Sequence, residues 1–279
     1  MRKASIAVFI AAASLALAGC ASSGGGSASV PAGCTPAHKF DTVESGKLTV
    51  ATPVSPPYSI KDGSSYKGLD IEILQKIAKM ECLSLSTQEM SFAAGLQSVQ
   101  SGRVDTAAGG VGKTEERAKV MGLSTTTYRD GMALMSKEGY KTIDQLKTLT
   151  IGVVQGYFWN DDLIKVLGND RVKQYQGSDA MFADLDAGRI NVAVSSTAEA
   201  GYRKTQFPKS GLKIELLEPT DSVAGSQGFG EVAIPTKKGA SAIESAVNAD
   251  VQSLLNDGTI AGILKSYNID PALAGPVAK

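Results

Sequence analysis

Residues 101–128 read SGRVDTAAGGVGKTEERAKVMGLSTTTY, and the fold assignment depends on this stretch. Its middle, AAGGVGKT (107–114), matches a relaxed phosphate-loop pattern that tolerates Ala at the first position. A phosphate loop of a nucleotide-binding enzyme needs a compartment that contains ATP, a strand before the loop with a long helix after it, and a second acidic motif for magnesium. The rest of the chain argues against this interpretation on three counts: the compartment, the helix and the acidic motif.

The amino terminus predicts a compartment that lacks ATP. A basic start precedes an apolar, Ala-rich segment at residues 4–18, which has the shape of a signal peptide (residues 1–19) and is too short to favour a membrane-spanning helix of ~20 residues. The segment ends in LAGC at Cys20, which resembles a bacterial lipobox, so we predict lipid attachment at Cys20; an ordinary secretory signal that contains Cys is the alternative. Residues 20–41 then form a lipid-tethered, Gly/Ser-rich linker. The protein is predicted to be extracytoplasmic and lipid-anchored to the bacterial cell membrane.

Cysteine usage fits an oxidising compartment. With Cys20 assigned to the lipid, Cys34 and Cys82 remain as an even pair, which predicts a disulfide; two unrelated buried thiols are the alternative. The chain contains no CxxC motif, and His38 is its single histidine, so we predict no metal site of the usual Cys/His zinc type. We predict no cofactor.

Alternating strand and helix patterns predict an α/β fold. KLTVA (47–51) has the pattern of a strand, Leu69–Met80 that of a helix with one apolar face, and Val104–Ala108 that of a buried strand. Thr114 is a predicted N-cap, and Gly122 ends its helix after about two turns, too soon for a phosphate-loop protein.

A second block of alternating elements begins after Tyr128 and is followed by carboxyl-terminal helices, which predicts two α/β lobes. Its apolar strand at Ile190–Val194 ends in two serines rather than in the Asp that magnesium would require. The formal net charge of +0 does not suggest a nucleic-acid-binding protein, which would call for a basic stripe or patch.

Another pattern in residues 101–128 explains the stretch better. It resembles the signature of extracellular solute-binding proteins of the polar amino-acid uptake family, approximately G-x-hydrophobic-D-x-x-x-x-G-x-T-x-T-x-E-R followed by F-S-x-x-Y. The resemblance continues, in order, through KLTVAT, PPYS, YKGLDIEIL, LKTLTIGVVQG, DLDAGRINVAV and LLNDGTIAGILKSYNI, from Lys47 to Ile269. The matching residues are Gly102, Asp105, Gly110, Thr114, Glu116, Arg117, Ser124 and Tyr128.

The resemblance implies a two-lobed, periplasmic-binding-protein-like (type II) Venus flytrap with two crossing hinge strands. Lobe 1 would comprise residues 42–134 and a return segment at 233–279, and lobe 2 residues 135–232. A ligand bound in the cleft would hold the lobes closed. The closed monomer would then deliver its ligand to an ABC permease in the membrane, served by a separate cytoplasmic ATPase.

The resemblance also implies a carboxylate site. In the family, the Arg that matches Arg117 grips the carboxylate of the ligand, helped by the residues that match Gly110 and Gly112. A guanidinium fork fits a carboxylate with two hydrogen bonds, and glycines let backbone N–H groups approach an anion. Position 112 departs from the family, because Gly stands where a Thr hydroxyl usually helps.

The ammonium partner is missing from its usual place. Family members that bind α-amino acids place an Asp after the strand that matches GRINVAV, whereas Ser195 and Ser196 follow here, with Ser196 in the position of the Asp. A buried ammonium without a carboxylate is costly, so either another acid substitutes or the ligand has no free α-ammonium. Glu199 and Glu231 are the nearest acids in sequence, and we interpret both as surface charges.

Aromatic residues are the second departure from the family. The loop of the second lobe carries three consecutive rings, including the only Trp, which could stack on a planar ligand or hold a cation. Outside this loop, Phe92 matches a stacking ring of the family, and Tyr58 lies in the first cleft loop. The candidate ligand-binding residues beyond Arg117, Gly110 and Gly112 are therefore Tyr58, Phe92, Gly156, Tyr157, Phe158, Trp159, Ser195 and Ser196.

These observations predict the substrate-binding lipoprotein of an ABC importer, with a carboxylate-bearing small solute, a polar or aromatic amino acid or derivative, as ligand. A non-amino-acid organic or aromatic acid is the alternative ligand. A dehydratase-like enzyme on the same fold is an alternative of another class, but the chain offers no Ser/His/Asp set, and we predict that it is not an enzyme. A sensory or adhesive lipoprotein would have the same sequence features.

Overall fold

The computed structural model describes residues 33–276. The signal peptide, Cys20 and part of the linker lie outside the described residues. Two sheets, one of three strands and one of five, form the centres of two lobes, so the predicted two-lobed α/β fold is confirmed. Within residues 33–276, every helix is too short or too polar to cross a bilayer.

The first lobe is built on β1, which pairs in parallel with β4 on one side and β5 on the other. The strand predicted at Val104–Ala108 is shorter than expected and comprises only Thr106–Ala107. At its carboxyl end, Gly109 and Gly110 adopt positive φ angles of 112° and 68° that end the extended backbone. In chain order the elements are β1 (Lys47–Thr52), β2 (Ile60–Asp62), β3 (Ser65–Lys67), α1 (Leu69–Met80), β4 (Ser84–Glu89), α2 (Phe92–Ser101), β5 (Thr106–Ala107), α3 (Glu115–Val120), β6 (Met121–Leu123) and β7 (Tyr128–Asp130).

Helix α1 has the predicted bounds and buries the predicted apolar face, which includes Ile71, Leu74 and Ile77. The predicted disulfide between Cys34 and Cys82 is confirmed, with Cα atoms 5.8 Å apart. It ties the start of the described chain to the residues that follow α1.

The second lobe contains the five-stranded sheet, in the order β10-β9-β11-β8-β12. Strands β9, β10 and β11 run parallel, so their carboxyl ends meet at one edge, whereas β8 is antiparallel to its neighbours. Here the elements are β8 (Met132–Ser136), α4 (Ile143–Leu146), β9 (Ile151–Val154), α5 (Asn160–Leu167), β10 (Val172–Tyr175), α6 (Ser178–Asp186), β11 (Val192–Ser196), α7 (Thr197–Gln206) and β12 (Lys213–Leu216).

The last segment returns to the first lobe. The strand predicted at residues 232–234 is instead two short strands, because the chain leaves β7 and takes β6 as its next antiparallel partner. Strand β7, which pairs with β13, is followed directly by β8 of the second sheet, so the chain crosses between the lobes here. The predicted boundary between residues 134 and 135 falls within β8. The remaining elements are β13 (Gly230–Val232), β14 (Pro235–Lys237), α8 (Ser241–Asn256) and α9 (Thr259–Ser266).

Candidate functional site

A cavity lies between the lobes, beside the carboxyl ends of β9 and β11 and the loop before α3. Its volume is about 590 Å³, including space open to solvent. Of the residues predicted from sequence, the cavity is lined by Tyr58, Phe92, Gly110, Gly112, Arg117, Tyr157, Phe158, Trp159 and Ser196. Sequence reasoning missed Asp130 and Gly131, left Glu231 at the surface, and left open whether Lys113 adds positive charge near the anion or faces water.

Ser195 and Gly156 are not among the cavity-lining residues. Side chains of a strand alternate between the two faces of a sheet, so Ser195 and Ser196 of β11 point in opposite directions. Ser195 is fully buried and donates to the carbonyl oxygen of Ser196. Gly156 acts through its backbone, because its carbonyl oxygen accepts a hydrogen bond from Arg117. We therefore leave Ser195 out of the site proposed below.

Arg117 lies in the short helix α3, whose N-cap is Thr114 as predicted. Its Nη1 donates to the carbonyl oxygen of Gly112 at 2.6 Å and its Nη2 to that of Gly156 at 2.9 Å, so the side chain reaches from the first lobe to the second. Burial lowers its pKa to about 10, which leaves it charged at neutral pH. Among residues 33–276, no carboxylate lies within ion-pair distance of this guanidinium.

The glycine loop has a structural role that the sequence did not indicate. The N–H groups of Gly109 and Gly110 both donate to Oδ2 of Asp70 at 2.8 Å, so the N–H of Gly110 is not available for the anion-binding role expected of it. A Cβ at Gly110 would lie 2.7 Å from the ring of Tyr58. The loop needs glycine at position 110 because an aromatic ring approaches its backbone there.

Asp130 is the acid that sequence reasoning did not find. Its Oδ1 accepts hydrogen bonds from Gly131 N at 2.8 Å, Thr197 Oγ1 at 2.5 Å and Ala198 N at 3.2 Å, and its Oδ2 accepts one from the hydroxyl of Tyr58. The first turn of α7 favours a negative charge at this position. Burial nevertheless raises the pKa of Asp130, and no Lys, Arg or His of the described chain forms an ion pair with it.

Ser196 is held beside Asp130 through a shared partner. The hydroxyl of Tyr58 donates to both Asp130 and Ser196, and Ser196 also caps α7 by accepting from Glu199 N at 3.0 Å. Position 196 therefore carries no acid, while a carboxylate from the end of β7 lies next to it. Of the two alternatives left by the sequence, the cavity fits the one in which another acid substitutes.

Glu199 was interpreted as a surface charge, and that interpretation is wrong. The residue is 1% exposed, and its carboxylate accepts from Ser55 Oγ and from the hydroxyl of Tyr157, each at 2.8 Å. Burial raises its pKa to about 7. The S-x-x-E spacing from Ser196 is a capping box, and this signal would have placed Glu199 at the start of a helix beside the cleft.

Glu231 lies at the rim of the cavity. Its side chain is 39% exposed, as expected of a surface charge, and pairs with Lys113 Nζ at 3.5 Å. It nevertheless lines the cavity, so a ligand that enters the cleft passes close to this carboxylate.

Aromatic rings form one wall of the cavity. Phe92 and Tyr157 pack edge to face with centroids 5.2 Å apart, as do Tyr157 and Trp159, and Phe158 and Trp159 are 4.9 Å apart. The indole N–H of Trp159 is buried and has no acceptor among the described residues. A buried donor without an acceptor is uncommon in folded proteins, and the rings themselves offer a ligand apolar area.

Comparison with known proteins shows the family of the chain. The family model for bacterial extracellular solute-binding proteins, family 3, matches residues 48–270. The chain belongs to this family. The predicted resemblance and the two-lobed type II fold are thereby confirmed.

Relatives and solved structures extend over most of the chain. The probable amino-acid-binding protein YxeM of Bacillus subtilis is 24% identical over 78% of this chain and 81% of its own length. An ancestral arginine-binding protein, solved bound to glutamine, is 28% identical with a TM-score of 0.71 and covers 80% of this chain and 98% of its own. The amino acid ABC transporter substrate-binding protein AbpA of Streptococcus pneumoniae, solved bound to L-arginine, is 26% identical with a TM-score of 0.71 and covers 80% and 94%. All three are named as binding proteins.

Proposed function

We propose that this protein is the substrate-binding lipoprotein of an ABC importer and that it captures an α-amino acid as its zwitterion. In this proposal Arg117 binds the carboxylate of the ligand and Asp130 binds its ammonium group. The ligand class is thus the amino acid or derivative predicted from sequence, and a non-amino-acid organic acid is the alternative that the test must exclude.

One observation carries the proposal: Arg117 and Asp130 line the same cavity, and neither has an ion-pair partner in the described part of the chain, whereas Lys113 and Glu231 pair with each other. Charges taken out of water are stabilised only when they are paired and hydrogen-bonded. Arg117 uses two of its five N–H groups on backbone carbonyl oxygens, so it still has donors for a carboxylate. The carboxylate of Asp130 has only acceptors and forms no ion pair within residues 33–276. A zwitterion would compensate both charges at once.

The side chain of the ligand would lie against the aromatic wall. Phe92, Phe158 and Trp159 offer ring faces and edges to a planar or cationic group, and the carboxylate of Glu231 lies at the rim. A polar amino acid with a planar or cationic end, such as arginine or glutamine, fits these surfaces, and both are ligands named for solved relatives. Alanine would leave the rings without a partner.

Closure of the lobes would couple binding to transport. Contacts already join the proposed first lobe (residues 42–134 and 233–279) to the second (135–232), among them Ser55 with Glu199 and Arg117 with Gly156. A ligand held by Arg117 from one lobe and by residues at the edge of the other would add to these contacts. The closed form would dock on a membrane permease while the lipid on Cys20 keeps the protein at the cell surface.

The test is a binding screen of the tether-free domain. L-amino acids are screened by thermal shift, where a ligand at 100 times its Kd stabilises by roughly 2.7 kcal/mol. Calorimetry then compares the best ligand with its amide, which lacks the carboxylate, and with its deamino acid, which lacks the ammonium. We expect both analogues to bind at least about thirty times more weakly, which corresponds to about 2 kcal/mol or more.

Two results would replace the proposal. Equal binding of the deamino acid would remove the role of Asp130 and favour the organic-acid alternative. Turnover of a bound solute would favour the enzyme alternative.

A further inference from the structure

A cluster of ligand-type side chains lies outside the cleft, where the amino-terminal arm (residues 33–46) packs against the first lobe. His38 belongs to the arm, Glu81 directly follows α1, and Asp250 lies in the middle of α8. One donor atom from each of the three residues lies within 4.8 Å of the others. The three come from segments far apart in sequence, and no part of the function proposed above uses them.

Asp250 is the observation that requires an explanation. The residue is fully buried, and neither of its carboxylate oxygens has a hydrogen-bond partner in residues 33–276. Glu81, also buried, is 3% exposed and is already bonded to His38, through Nδ1 at 2.6 Å and through the backbone N–H at 2.9 Å. Two carboxylates therefore lie together out of water, with a single imidazole beside them. Buried carboxylates are normally paired or bound to a metal.

We propose that His38, Glu81 and Asp250 bind one divalent transition-metal ion of the Zn²⁺ type. Imidazole nitrogen and carboxylate oxygen are both ligands of Zn²⁺, at about 2.0–2.2 Å. The mixed set argues against Ca²⁺ and Mg²⁺, which take oxygen ligands and more of them. The side chain of His38 is 37% exposed, so solvent can reach the site and supply a fourth ligand.

The spacing of the donor atoms suits such an ion. Nδ1 of His38 lies 2.6 Å from Oε1 of Glu81 and 3.8 Å from Oδ1 of Asp250. Ligands of a tetrahedral zinc ion are about 3.4 Å apart, given bonds of roughly 2.1 Å. These two distances lie on either side of this value, and the donor atoms of the three residues lie within 4.8 Å of one another.

The ion would fasten the arm to the body of the protein. The backbone N–H of Ala37 donates to the carbonyl oxygen of Met80 at 3.2 Å, and the disulfide between Cys34 and Cys82 lies next to Glu81 in the chain. A metal held by His38, Glu81 and Asp250 would join the arm to α1 and α8 at one point. It would stabilise the attachment of the arm without touching the cleft.

The test uses the untagged full chain, stripped with a chelator, and ZnCl₂ as the probe. Calorimetry should give one Zn²⁺ per chain and a higher Tm with zinc. Asp250→Asn and His38→Ala should each weaken zinc binding at least about tenfold and abolish the Tm increase. The matched control is Asp257→Asn, which removes the same charge just beyond α8 and should bind zinc like the unmodified chain.

Each variant is also tested for binding of the cleft ligand, which shows that its fold is retained. Because the cleft and the metal cluster are separate, a loss of cleft binding can be distinguished from a loss of zinc binding. The proposal is overturned if the unmodified chain does not bind zinc at submillimolar concentration, or if Asp250→Asn binds zinc equally well. No zinc binding together with a higher Tm of metal-free Asp250→Asn would show instead that a proton shared between the two carboxylates explains the cluster.

Discussion

Asp130→Asn should weaken ligand binding without weakening the fold. The amide oxygen of the new side chain can still accept from Gly131 N, Thr197 Oγ1 and Ala198 N, which all donate to Oδ1 of the native residue. The amide NH₂ would then face the hydroxyl of Tyr58, which can accept from it and continue to donate to Ser196. Burial raises the pKa of Asp130, so the ionised carboxylate is penalised in the folded state. We expect the Tm to stay the same or rise.

The loss in binding follows from the contact that Asp130 would make. Two unit charges about 4 Å apart interact by about 4 kcal/mol at an effective dielectric constant of about 20. The hydrogen bonds that Asp130 already accepts, and the dipole that an amide retains, reduce the difference between the two side chains. We therefore expect a loss of about 2–4 kcal/mol, within the range for removal of one partner of a buried charge pair. At ~1.4 kcal/mol per tenfold, Kd should rise by about thirty to a thousand times.

The assay is a double-mutant cycle measured by calorimetry. The native protein and Asp130→Asn are each titrated with the tightest amino-acid ligand and with its deamino analogue. The coupling between residue and ammonium should be about 2 kcal/mol or more. Asp144→Asn is the control, because it makes the same substitution outside the cavity, where the side chain is 79% exposed and paired with Lys147. Exposed pairs contribute about 0–1 kcal/mol, so the control should change Kd by less than about fivefold.

Three results would refute the reasoning. An unchanged Kd for Asp130→Asn would place the ammonium elsewhere. A coupling near zero would mean that the variant acts on the fold of the cleft rather than on the ammonium. An equal loss for Asp144→Asn would show a general effect of charge instead of a direct contact.

Four further predictions concern other residues. Arg117→Ala should raise Kd at least about thirtyfold, because a loss of about 2–5 kcal/mol is typical of a broken buried pair; an unchanged affinity in calorimetry would place the guanidinium outside the site. Glu199 has a folded pKa raised to about 7 from 4.5, so its stabilising contribution is complete below pH 4.5 and is lost as the pH rises through 7. At ~1.4 kcal/mol per pKa unit this amounts to about 3 kcal/mol of the free energy of unfolding in urea, and Glu199→Gln should remove this pH-dependent part. The same pH dependence of the unfolding free energy in the variant and in the native protein would contradict the prediction. Cys20→Ala should move the protein from the membrane to the soluble fraction, and retention at high salt would exclude the lipid anchor. Trp159 lines the cavity, so the fluorescence of this single Trp should change on binding; no response to any stabilising ligand would argue against its place in the site.

The sequence alone determined the architecture and much of the first cleft loop. Helix α1 has the bounds that its apolar spacing predicts, Thr114 caps a short helix as predicted, and the two remaining cysteines form the expected disulfide. These features could be predicted because helix periodicity, capping and cysteine pairing depend on residue types at short spacing or on simple counting. The same local pattern in residues 101–128 was sufficient to indicate the family.

The charged groups of the site were decided by the tertiary structure. Asp130 lies beside Ser196 only because the chain passes from β7 into β8, which pairs with β11 and so brings the end of β7 to the start of α7. Glu199 looks like a helix surface charge in the sequence, but Ser55 and Tyr157 from other segments enclose it. Whether a carboxylate faces water or a cavity depends on which distant segments pack over it, and a short stretch of sequence does not specify those segments.

The same limit applies to His38 and Asp250, which approach within 3.8 Å although most of the chain separates them. It also applies to Ser195 and Ser196, the last two residues of β11, because the register of that strand decides which hydroxyl faces the cleft. A shift of one residue in a strand exchanges its two faces, and that register is set by pairing with β8 and not by the serines themselves.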